Sequence, residues 1–117
     1  MVASLEEIVR GGARLFDEAR FFEAHEAWEV HWLVEKDAQR RLLLQGLIQI
    51  AAAFHKLVDK QAPVPAASLF DKGLAKLDRC PAQMDGARVD AFREGVRACA
   101  MAAAAGRFER ASVPRCL

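Results

Sequence analysis

Apolar residues along the chain recur at intervals of three and four, and no window alternates cleanly between apolar and polar, so the pattern predicts an all-α protein. Helix formers dominate and tyrosine is absent. Ser4, with Glu7 three residues later, forms a capping box that opens helix one, which is expected to run to about Phe16 across a weak spot at Gly11 and Gly12. Asp17 to Arg20 reads as a tight turn. Helix two covers Phe21 to Lys36, and Asp37 caps helix three, which the apolar pattern carries from Ala38 to Asp59. Pro63 and Pro65 in "KQAPVPAAS" cannot continue a helix, while Pro65 suits the first turn of helix four, which ends near Asp78. "RCPAQMDG" is the next break, with Asp85 as a cap for helix five, whose Val89, Phe92, Val96, Cys99 and Ala103 form one stripe. The tail after Gly106 is expected to fray. A weak echo between "ARLFD" at Ala13 and "ASLFD" at Ala67 is compatible with paired helical hairpins but does not establish a repeat. The architecture predicted is a compact five-helix bundle, orthogonal and antiparallel, in a single domain spanning residues 1–117.

Two helices carry polar residues where a core face is expected. On helix two, Phe21, Phe22, Trp28, Trp32 and Leu33 share one arc, and His25 and Glu29 fall near its middle, with His31 outside it. On helix three, Leu44, Leu47, Ile48, Ala51 and Val58 form a stripe that contains His55, with Gln45, Gln49 and Arg41 along one edge. A very short connection at Asp37 predicts antiparallel packing, which brings residues equidistant from the turn together and sets His25 level with Gln49. A buried ionisable group needs a partner or a ligand, so His25 and Glu29 are expected to satisfy each other, meet polar groups on helix three, or hold something.

Composition narrows the classes. At 117 residues the chain has the length of one domain and buries roughly two-thirds of its unfolded surface, and 53% hydrophobic with 28% charged residues excludes a disordered chain. Seventeen basic and 16 acidic side chains give a net charge of +1, without the basic footprint of a nucleic-acid or membrane-surface binder. Neither partner is expected, and a homodimer is the candidate assembly. Cys80, Cys99 and Cys116 show no zinc spacing and are expected to be reduced, Cys99 in the core and Cys116 exposed. "MVASLEEIVRGG" lacks the basic and apolar segments of a signal peptide, and "LLLQGLIQIAAAF" is shorter than the ~20 residues of a bilayer span, so a cytoplasmic location is expected.

His25, Glu29 and Trp32 spell H-x-x-x-E-x-x-W, preceded by "FFEA" and followed by "LLLQGLIQIAAAFHK". From about Gly12 to Lys56 the chain resembles domain-of-unknown-function family 309, small helical proteins of bacteria and archaea. The resemblance implies a compact all-helical fold and metal binding at the motif positions His25, Glu29 and Trp32, and it implies no activity.

Three functions compete. His25, Glu29 and His55 would form a two-histidine, one-carboxylate set for zinc, iron or manganese, able to activate water. Without metal, Glu29 could orient His25 as a general base in a pocket lined by Trp28, Trp32, Arg41, Gln45 and Gln49, although no nucleophile stands out and the catalytic residues stay unassigned. The third is a non-enzymatic interaction or dimerisation module in which the His-Glu network is structural and surplus apolar surface meets a second copy. Trp28 and Trp32, at helical spacing, read as core aromatics ahead of a substrate-stacking platform.

Overall fold

A computed structural model describes residues 4–84 and 87–116. Ser4 accepts a hydrogen bond from the Glu7 N–H and Glu7 accepts one from the Ser4 N–H, and this reciprocal cap starts α1, Leu5–Asp17. α1 ends where the N–H groups of Ala19 and Arg20 return to the carbonyls of Phe16 and Leu15, with Ala19 at φ 62° in the left-handed position that usually takes glycine. α2, Phe21–Trp32, follows. It stops four residues before Lys36, the expected end, because the Arg41 guanidinium donates to the carbonyls of Trp32 at 2.7 Å and Glu35 at 3.0 Å, satisfying groups that would otherwise call for another helical turn.

Asp37 caps α3, Ala38–Phe54, by accepting from the Arg40 N–H at 2.9 Å. The helix then widens into a π turn, His55–Asp59. Together they run 22 residues, longer than the 13-residue apolar stretch alone and apolar enough by length and composition to cross a membrane, but more than half of the most apolar window is buried inside the bundle. α4, Pro63–Leu77, begins directly on Pro63, whose missing N–H costs nothing at a first helical position. A two-residue ribbon, β1 Gln83–Met84 against β2 Ala87–Arg88, interrupts the all-helical expectation before α5, Val89–Ala104. Asp85, expected to cap this last helix, lies outside the described residues.

Successive helices pack on one another, α1 on α2, α2 on α3, α3 on α4 and α4 on α5, which makes the molecule an all-α bundle. Phe54 stands at its centre, edge-on to Phe16 and Phe70 at 5.6 and 5.0 Å between ring centroids and stacked on Phe21 at 5.5 Å. The two echoed segments therefore meet through their phenylalanines on one ring. The weak spot at Gly12 also has a cause: a Cβ there would lie 2.3 Å from the Trp28 indole, so only glycine admits that ring. Every residue of the expected stripe on α3 apart from His55 is buried.

The tail does not fray. A short 3-10 turn at Arg110–Ser112 folds it back, Pro114 covers Gly95, and the Cys116 N–H donates to Asp17 at 2.8 Å. Cys116, expected to be exposed, is instead packed on the core beside Val9, Leu43 and Phe92. Loss of water, with Asp17 nearby as a smaller cause, pushes its thiol far above the ordinary range. Cys80 and Cys99 are buried free thiols, and burial raises both.

Candidate functional site

The buried face of α2 is Phe21, Ala24 and Trp28, and His25, Glu29 and Trp32 stand at its α3-facing edge. His25 and Glu29 were expected near the middle of the apolar arc; the arc is displaced because Ala24, too small to weigh in a hydrophobic pattern, faces inward while Phe22 and Leu33 face outward. Two contacts fix the α2–α3 pairing. Phe22 touches His55 at 5.2 Å between centroids at one end, and the Arg41 guanidinium lies 4.7 Å over the Trp32 ring at the other. With Phe22 beside His55 and Trp32 beside Arg41, the helices run antiparallel, as the short connection predicts.

Along this edge, His25 Nε2 lies 3.3 Å from Glu29 Oε2, with the two side chains 26% and 44% exposed. If Nε2 carries the proton donated to the carboxylate, Nδ1 is left as an acceptor. That atom is buried without a partner in the chain, and so are Trp32 Nε1, a donor, and Gln49 Oε1, an acceptor. Among the described residues these are the buried side-chain polar atoms that lack a hydrogen bond, and all belong to the α2–α3 edge.

The metal set of His25, Glu29 and His55 is not assembled. The Phe22 ring contacts both imidazoles, stacked on His25 at 5.9 Å and tilted against His55 at 5.2 Å between centroids. His55 turns to its own π turn, where Nδ1 pairs with Asp59 at 2.8 Å. No three His, Cys, Asp or Glu side chains among the described residues form a group able to hold an ion. Two donors one turn apart fall short of the three or four that a zinc site draws from protein, so the residues present do not fit a resident metal within one chain.

Trp28 does not line the edge either. It is fully buried, and its indole N–H donates to the Val9 carbonyl at 3.2 Å, toward α1. Arg41 and Trp32 meet at this edge, and Gln45 and Gln49 are half-buried on α3. Phe22 is the residue that pattern reasoning assigned to the core, although Glu26 and Glu29, on the same side of the helix, signal a water-facing position.

A family model described as "Domain of unknown function (DUF309)" matches residues 9–69, which is 61 of 117 positions. The chain belongs to the DUF309 family. The match runs from within α1 into α4 and so contains the whole α2–α3 edge, whereas α5 and the returning tail lie beyond it. No curated protein matches the chain.

Proposed function

We propose that this DUF309 protein is a helical interaction module that pairs with a second copy of itself along α2. One observation carries the reading: surplus apolar surface is concentrated on one helix and the turn that ends it. Six large hydrophobic residues are exposed among the described residues, and four of them belong to α2 and the turn that ends it: Phe22 at 49%, Val30 at 64%, Leu33 at 64% and Val34 at 74%. Scattered single apolar residues on a surface need no explanation; a concentration on one element does.

The spacing of exposed Phe22 and Leu33 along α2 supports a copy of the same chain as the occupant. A two-fold, isologous pairing of antiparallel α2 helices brings the same patch of each copy together. Phe22 and Leu33, three turns apart, then change places across the axis.

Sedimentation velocity over a concentration series tests this. The expected result is a reversible dimer that chelators leave intact and that Phe22→Glu or Leu33→Glu converts to a monomer with unchanged helix content. A monomer at several hundred micromolar would refute the reading.

A further inference from the structure

We infer that the end of α1 and the returning tail form an anion site for a phosphate-bearing small molecule, separate from the α2–α3 edge. Arg10, Arg14 and Arg115 line one open cavity of about 570 Å³ together with Asp17 and Glu18. Its size lies within the usual range for a small-molecule site, roughly 300–1,000 Å³.

The arginines keep guanidinium donors beyond those their contacts within the chain use. Arg10 and Arg14 are one turn apart on α1, a like-charge spacing that disfavours the isolated helix. Arg14 has no hydrogen-bond or ion-pair partner among the described residues. It is not needed to cap α1, because the N–H groups of Glu18, Ala19 and Arg20 already occupy the carbonyls of Arg14, Leu15 and Phe16. Arg10 gives one nitrogen to Glu6 at 2.6 Å, and Arg115 is 79% exposed and only 3.7 Å from Asp17, so both keep donors of the guanidinium fork to spare.

The two carboxylates in the cavity are already engaged. Asp17 is mostly buried and accepts the Cys116 N–H, the contact that draws the tail back and delivers Arg115, while Glu18 pairs with Arg20 at 3.4 Å. Three guanidinium groups converging from a helix and a folded-back segment match the oxygens of a phosphate, which they bind as bidentate, charge-assisted pairs. A diphosphate, with more charge and more oxygens to share among three guanidinium groups, suits the arrangement better than a single phosphate. The carboxylates and the small net excess of positive charge work against a long polyanion such as nucleic acid.

Isothermal titration with pyrophosphate and with inorganic phosphate at low ionic strength tests the site. Pyrophosphate is expected to bind more tightly than phosphate and to weaken steeply with added salt. Arg14→Gln and Arg115→Gln should each weaken it by about tenfold or more, with unchanged circular dichroism since both side chains are exposed. Phe22→Glu, which tests the pairing surface, should leave this binding as it is. Absence of binding at millimolar pyrophosphate, or an Arg14→Gln protein that binds as tightly as the parent, overturns the inference.

Discussion

Trp28 and Trp32 stand one turn apart on α2 and make opposite use of the same side chain. The first is sealed in the core, edges into the space left by Gly12, and gives its N–H to a carbonyl of α1. The second lies at the α3 edge under a guanidinium, with its N–H buried and unpaired. A fully packed, fully hydrogen-bonded aromatic contributes to the stability of the monomer. One held against a cation with its buried donor unpaired gives up part of that contribution. One helix thus separates a face that holds the fold from an edge that contributes less to it, and the boundary between them is a single turn wide.

Three substitutions probe that contrast, in falling order of effect. Trp28→Ala should cost about 3–5 kcal/mol, read from denaturant midpoints, since it removes a large buried ring together with its hydrogen bond to the Val9 carbonyl. Gly12→Ala should cost roughly 1–3 kcal/mol by forcing the indole from its seat, and the double change Gly12→Ala with Trp28→Ala should cost less than the sum of the two. Trp32→Phe, which keeps the ring and deletes an unsatisfied donor, should leave monomer stability within about 0.5 kcal/mol or raise it. A loss from Trp32→Phe comparable with that from Trp28→Ala would erase the distinction between the two positions.

Much of the bundle could be read in advance because its determinants are local. The Ser4–Glu7 box, the Asp37 cap and the proline break each act within a few residues, and each appears in the structure as expected. The pairing of α2 with α3 was also legible, since a short connection leaves two helices little choice of register. What escaped prediction depends on contacts between distant residues. Arg41 ends α2 from the next helix, and Asp17 captures the tail from 99 positions away. The expected ligand set failed for a different reason. A helical wheel weights Phe22 as core, yet the ring faces outward against both histidines, and His55 pairs with Asp59 in a π turn where regular spacing no longer applies.

That wide turn has a consequence for the whole molecule. A regular helix rotates about 100° with each residue, so its length alone dictates the direction in which the chain leaves. Between His55 and Asp59 the ladder accommodates its residues in a looser loop, shifting the phase at which the chain departs toward Pro63. The close crossing in which Gly46 and Gly73 face each other, where a Cβ on Gly73 would meet the Gly46 carbonyl at 3.1 Å, lies on either side of this correction. Deleting one residue from the turn would tighten it to ordinary helix and rotate the second hairpin out of alignment with the first, so the segment works as an indexing joint between the two halves of the bundle.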